Sequence, residues 1–219
     1  SNIGKIRNIE NFKNYLILGE ISLNGEVKSV KGAINATILA KEKGIRGVII
    51  PYENYDEACL ISGVEIVPVS RIEEAVSFLN GKISLDELHK SMKEKMDLKK
   101  NEKSKRNKEE KNEVDFSDVK GQFLAKRAME IAAAGGHNIF LMGDPGSGKS
   151  MLAKRFVTIL PEMSEKEIIE TTKIYSISGM LSPDKPVITE RPFRAPHHSA
   201  TQTALVGGAI RAGEITLAL

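Results

Sequence analysis

Gly143 and Gly148 enclose four residues, Asp144, Pro145, Gly146 and Ser147, and Lys149 and Ser150 follow at once, so the run fits G-x-x-x-x-G-K-[ST] in full. The chemistry of that spacing is phosphate binding. Glycines let the backbone wrap close to phosphate oxygens, so amide N–H groups from Asp144 to Ser150 can point inward, and the positive end of the following helix adds to them. Lys149 would reach the β- and γ-phosphates as a mobile point charge, the catalytic role, and Ser150 would ligate Mg²⁺ through its hydroxyl. The expected binding set for ATP with Mg²⁺ is Gly143, Asp144, Pro145, Gly146, Ser147, Gly148, Lys149, Ser150 and Met151. Asp144 and Pro145 stiffen the loop without a chemical step of their own. A glycine turn that binds nothing is the plain alternative, and spacing and flanks both argue against it.

Those flanks are the elements that must position the loop. "IFLM", residues 139–142, reads as a short buried strand, and "MLAKRFVTIL" after the loop reads as a helix. Before the strand, "VDFSDVKGQFLAKRAMEIAAAGGHN" reads as a packed helix with Leu124, Arg127, Ala128, Ile131 and Ala132 on its working face, ended by Gly135-Gly136. Hydrolysis needs more than a cradle: an acidic pair at the end of a second buried strand, one carboxylate on the Mg²⁺ shell and one orienting water. Downstream of Ser150 neither "EIIE" nor "KPVITE" fits, and "GEITLAL" reads as an apolar strand with no acid after it. The expectation is a chain cut just before the acidic pair.

The first third alternates strand and helix. "YLILGEISL" reads as a strand, Asn24-Gly25 as a tight hairpin turn and "EVKSV" as the returning strand. "GAINATILAKEK" follows as a helix with Ile34, Ile38 and Leu39 on one face and Gly44 as its cap. "RGVIIP" and "VEIVPVS" are strands leading to the helices "ENYDEACLIS" and "RIEEAVSFLN", the latter closed by Gly81. Such alternation predicts an α/β fold with a mostly parallel sheet covered by helices.

From Lys90 to Lys111 the chain carries ten basic and five acidic residues and is expected to lie outside any core. It reads as a solvated helical or disordered linker, or as a basic arm touching phosphates, for which mixed signs are poor support. Over the whole chain, 32 Lys and Arg face 29 Asp and Glu, a balance too even to indicate a nucleic-acid partner by itself. The single cysteine, Cys59, cannot pair internally and reads as a small core residue; with no apolar leader and no membrane-length apolar run, the expected setting is cytoplasmic, with no membrane partner.

The second half resembles the magnesium-chelatase-like AAA+ ATPases, specifically the ComM/YifB group. The matching words are "GQFLAKRAMEIAAAGGHNIFLMGDPGSGKSMLAKRF", "TILP", "TTKIYSISGML", "RPFRAPHHSAT", "ALVGGA" and "AGEITLAL". The resemblance implies a hexameric ring ATPase with nucleotide held between subunits and, for the ComM group, DNA binding and branch migration in recombination or natural transformation. It also implies that the pattern continues beyond Leu219 into a strand ending in Asp-Glu, then sensor and arginine-finger regions. "GEISLNGEVKSVKGAINATILAKEKGIRGVIIPYENYDEA" is similar to the proteolytic domain of Lon. In that family the position matching Ile34 is the catalytic lysine and its partner serine lies upstream of this chain. An isoleucine cannot activate a nucleophilic serine, so peptidase activity is not expected. The missing upstream portion favours Ser1-Asn2 as native sequence of a chain cut at both ends.

Other candidates are weaker. His197 and His198 invite a metal reading, but adjacent side chains diverge and no Cys or carboxylate cluster helps; the resemblance places them near the ring pore or subunit contact, and two exposed polar residues on a proline-bounded loop are an equal alternative. Arg191, Arg194 and Arg211 could meet DNA phosphates or a neighbouring subunit's nucleotide. Val119 and Gln122, in "DVKGQ", are candidates for the adenine pocket, equally readable as an ordinary helix start.

The expected organisation is a truncated, inactive Lon-protease-like domain over 1–83, a charged linker over 84–112, and the N-terminal part of a P-loop AAA+ domain, with Walker A only, over 113–219. The expected function is an ATP-binding motor acting on DNA as a homo-hexamer when full length. The alternatives are a magnesium-chelatase-type metal-insertion motor, or a nucleotide-binding fragment without turnover.

Overall fold

Every residue of Gly47–Pro51 is buried, as a strand covered on both faces requires. This strand, β4, is the centre of a three-stranded parallel sheet of order β1-β4-β5, flanked by β1 (Tyr15–Ile17) and β5 (Glu65–Val69). The computed structural model describes residues 9–104, 114–208 and 212–218, with backbone alone for 9–10 and 99–104. The described chain forms two compact units, Ser1–Lys108 with Ile169–Val187, and Glu109–Ile168 with Ile188–Leu219.

In the first unit α1 (Ile9–Lys13) leads into β1, and "YLILGEISL" breaks after Ile17, so that its second part, β2 (Glu20–Ile21), pairs antiparallel with β3 (Val27–Lys28). The Asn24-Gly25 turn closes this hairpin with Gly25 at φ 81°, a conformation cheap only for glycine. Helix α2 (Ala33–Glu42) follows, then β4, the single turn α3 (Tyr55–Ala58), β5 and α4 (Ile72–Leu79). Period-two alternation splits the sheet's side chains between two cores. Ile49, Val67 and Val69 pack with Phe78, Leu79 and Leu88 on one face. Val48, Ile50 and Ile66 pack with Ala40 and Ala58 on the other.

Tight spacing at the sheet's centre depends on one small residue. Gly47 lies opposite Tyr15 on one side and Glu65 on the other, and a Cβ there would run into the Glu65 carbonyl oxygen and the Tyr15 ring.

Several expectations need correction. Helix α2 buries Ala33, Ile34, Thr37 and Ala40, while Leu39 is exposed, because the face set by the sheet is rotated toward the small residues. "ENYDEACLIS" gives only the turn α3, and Cys59 is exposed just past its end rather than in the core. The charged run is not wholly outside the core either. It begins as helix α5 (Leu85–Ser104), which buries Leu88 and Met92 four residues apart, a stripe sufficient to dock one face. His89 Nε2 lies 3.0 Å from the Ile66 carbonyl oxygen, and Lys95 Nζ donates to Glu74 Oε1 at 2.9 Å, tying the helix to β5 and α4. Residues 105–112 of the expected linker, and residue 113 after it, lie outside the described residues. Compactness also groups Ile169–Val187 with the first unit, although the sequence places it well inside the second domain.

The second unit is built from α6 (Phe123–Gly135), α7 (Lys149–Phe156), the first turn of α8 (Glu165–Ser178), α9 (Gln202–Val206) and α10 (Glu214–Leu217). Its core gathers Phe116, Val119, Met129 and Leu152, with Ile139, Leu141 and Phe156 packed against it. Helix α6 therefore turns Met129, Ala132 and Ala133 inward, and the expected face is off by about a third of a turn: Leu124 and Ile131 are exposed. Residues 139–142 form no strand and leave Phe140 and Met142 exposed, since among the described residues of this unit no second strand lies beside them. "GEITLAL" forms the turn α10, not a strand, for the same reason: without a partner ladder, local i→i−4 bonds satisfy the backbone.

Candidate nucleotide site

The loop after Ile139–Met142 is shaped by backbone conformations that ordinary residues avoid. Gly146 and Gly148 sit at φ 82° and 87°, and Gly148 is the N-cap from which α7 begins. Amides in the first turn of a helix have no intrahelical acceptor, so those of Lys149, Ser150 and Met151 are left to face a ligand. Leu152, one position further on, is 3% exposed and anchors α7 in the core. The anchoring makes the loop's far end rigid.

Lys149 closes the loop on itself. Its ammonium donates to the carbonyl oxygens of Gly143 and Asp144, both at 2.7 Å, and to Ser147 Oγ at 3.2 Å. A cation already held at the mouth of a glycine-rich turn, beside free helix amides, fits a polyphosphate, which offers the same ammonium stronger acceptors. Ser150 is exposed on the first turn of α7, with its hydroxyl available to a cation that phosphate oxygens would share. The loop would hold the nucleotide, and Mg²⁺ bound with it would neutralise charge on the phosphates. A cavity of about 410 Å³ adjoins this turn, lined by Met129, Leu141, Lys149, Ser150, Phe156 and Phe193.

Of the two adenine-pocket candidates, one reaches the loop. Gln122 adopts φ 54°, unusual for a residue other than glycine, and its Nε2 donates to the Ser147 carbonyl oxygen at 3.4 Å. Val119 is buried in the core of this unit instead, where its carbonyl oxygen accepts from Lys126 Nζ at 3.2 Å.

Two of the arginine candidates have carboxylate partners. Arg191 pairs with Glu167 at 2.9 Å and donates from Nε to the Pro161 carbonyl oxygen at 2.8 Å. Arg194 grips Glu214 through two 2.6 Å bonds, and these hold the Glu214 carboxyl below the usual carboxylate range. Arg211 lies outside the described residues. His197 and His198 are exposed with ring centroids 4.0 Å apart, and His197 Nδ1 accepts from the Ser199 amide at 3.3 Å. Among the described residues no three His, Cys, Asp or Glu side chains gather as a metal site.

One polar cluster escaped the sequence reading. Glu57, Asn54 and Ser176 are all buried in the first unit, and the other two both donate to Glu57. Acids and amides in "PYENYDEA" signalled polarity there, but nothing local pointed to a partner 119 residues away.

Residues 115–219 match the family described as magnesium chelatase, subunit ChlI, and residues 3–54 match a second described as subunit ChlI of Mg-chelatase. Competence protein ComM of Haemophilus influenzae is 41% identical over 209 residues, 94% of this chain. YifB of Escherichia coli is 39% identical over 206 residues, 93% of this chain. The chain belongs to the magnesium-chelatase-like ComM/YifB family. Lon protease 2 of Bacillus subtilis is 48% identical over 60 residues, 26% of this chain and 11% of that protein. This member of the ComM/YifB family thus has an α/β fold in which a Lon-like part precedes the N-terminal part of an AAA+ domain. It spans 39% of the length of ComM and 38% of YifB. Among the described residues no helix is long and apolar enough to cross a membrane.

Proposed function

We propose that residues Gly143 to Met151 bind ATP with Mg²⁺, and that in the longer protein this binding drives a hexameric ring that remodels DNA. The observation carrying the first part is Lys149: its ammonium sits on two loop carbonyls at the start of α7, where phosphate oxygens are the stronger acceptors. Membership of a family that includes a competence protein supports the second part, as does the AAA+ character of the family. The Lon-like part argues against peptidase chemistry, because Ile34 is apolar and fully buried at the position matching the lysine. The single exposed cysteine suits a reducing, cytoplasmic setting.

The test is ATP turnover by the full-length protein with and without branched or single-stranded DNA. Stimulation supports the DNA reading, and turnover indifferent to DNA removes it; insertion of a metal into a porphyrin would favour a chelatase motor instead. A second reading, carried by the same loop, is a chain that binds nucleotide without turning it over. Turnover by this chain alone would overturn that reading.

A further inference from the structure

Glu57 is 2% exposed, and its carboxylate is held by three donors. Asn54 Nδ2 donates to Oε1 at 2.6 Å, the Ile34 amide to Oε2 at 3.4 Å, and the Ser176 hydroxyl to Oε2 at 2.5 Å. Ser176 Oγ also accepts from the Gly32 amide at 2.9 Å. Asn54 is fixed in turn by a two-way clamp on Val30, donating to its carbonyl oxygen at 2.8 Å and accepting from its amide at 3.0 Å. Together, the loop before α2 and the turn α3 form a rigid polar recess.

That recess has a chemical preference. A group placed in it must give one proton to a carboxylate and accept another from a backbone amide, through a single atom. A hydroxyl does both; a methyl group does neither, and an ammonium cannot accept. Leaving the recess empty would take one of three donors from a buried carboxylate and the acceptor from a half-buried N–H, so an occupant is worth more there than at a solvated site.

The occupant comes from Ile169–Val187, which belongs to the same compact unit. Thr172 and Ser176, one helical turn apart, are both buried on α8. The helix then ends at Gly179, whose φ is 67° and whose α-carbon is covered by the Lys31 side chain. Beyond it the chain folds over a cavity of about 240 Å³, with Ser29, Lys31 and Glu53 on one side and Leu181, Ser182 and Pro183 on the other.

We propose that the recess formed by Gly32, Ile34, Asn54 and Glu57 is a hydroxyl-reading docking surface whose partner is the chain's own segment 169–187, with Ser176 as the residue it reads. The segment acts as a strap across the Lon-like part of the chain.

The experiment is native-state amide hydrogen exchange on the purified protein, wild type against Ser176→Ala and Ser176→Thr. The expected result for Ser176→Ala is exchange ten- to a hundredfold faster at Gly32 and through 169–187, with β4 and β5 unchanged; Ser176→Thr, which keeps the hydroxyl, stays within about threefold of wild type. Unchanged protection of 169–187 in Ser176→Ala would overturn the proposal, and so would equal loss across β4 and β5 or a Thr variant as exposed as Ala. If Ser176→Ala is insoluble, wild type decides alone. Gly32 and 169–187 opening at one common rate supports docking, and a Gly32 amide exchanging at the rate of an open loop defeats it. Tenfold dilution should leave the rates unchanged; dependence on concentration would mean the segment comes from a second copy and would overturn the assignment in cis.

Discussion

Lys149 donates to the carbonyl oxygen of Gly143, six residues before it, at 2.7 Å. The bond spans the whole phosphate loop, so the residue expected to grasp phosphate also draws the loop's two ends together. Replacing Lys149 with Ala should remove one or two charge-assisted bonds to phosphate, each about 1.5–3 kcal/mol. The expected outcome is at least a ~10-fold loss of ATP affinity by calorimetry, with the thermal midpoint almost unmoved because the bonds are exposed. Unchanged affinity would sink the assignment.

Gly148 makes a separable prediction. An alanine there must adopt φ 87°, at a cost of about 1–2 kcal/mol, while its Cβ would meet only the flexible end of Met151 at 3.4 Å. Urea unfolding of Gly148→Ala should therefore show a loss of that size, and ATP affinity should fall as α7's first turn rotates.

Glu167 should make stability depend on acid pH. Its carboxylate accepts from the Ser164 amide at 2.8 Å, then from the Ser164 hydroxyl at 2.8 Å, and it pairs with Arg191; these bonds pull its value from the ordinary 4.5 down to about 2. A carboxyl depressed in the folded state contributes stability that is fully present above about pH 4.5 and is lost as pH falls toward about 2. Thermal midpoints of wild type should fall more steeply across that window than those of Glu167→Gln. Parallel curves would mean that these bonds contribute nothing.

Leu88 tests whether α5 is part of the first unit or a bystander. It is 3% exposed in the core with Phe78 and Leu79, so Leu88→Ala should cost about 2–4 kcal/mol in chemical denaturation. Leu98, 66% exposed on the same helix, gives the control: its replacement by Ala should change stability by less than about 0.5 kcal/mol.

What the sequence revealed here follows from range. The hairpin at Asn24-Gly25, the strands β4 and β5, and the Gly143–Ser150 loop are all specified by residues within a few positions of one another. Helix faces were less legible. Leu124 and Ile131 have the right spacing for a core but point outward, because the core in α6 is chosen by where Phe116 and Leu152 lie, not by the strongest apolar residues. Met92 was hidden by its charged neighbours, although two apolar residues four apart suffice to dock a helix. Ile139–Met142 formed no strand, since pairing depends on a second strand. The Glu57–Ser176 bond left no local signature at all.

Gly47 carries a different kind of consequence. At this position β1 and β5 close in from both flanks, and one of the obstructions is a main-chain oxygen that cannot turn aside. A side chain there would be felt by all three strands together, and replacing Tyr15 alone would leave the Glu65 main-chain oxygen in its way. Three strands thus share one steric constraint, set by the absence of a side chain.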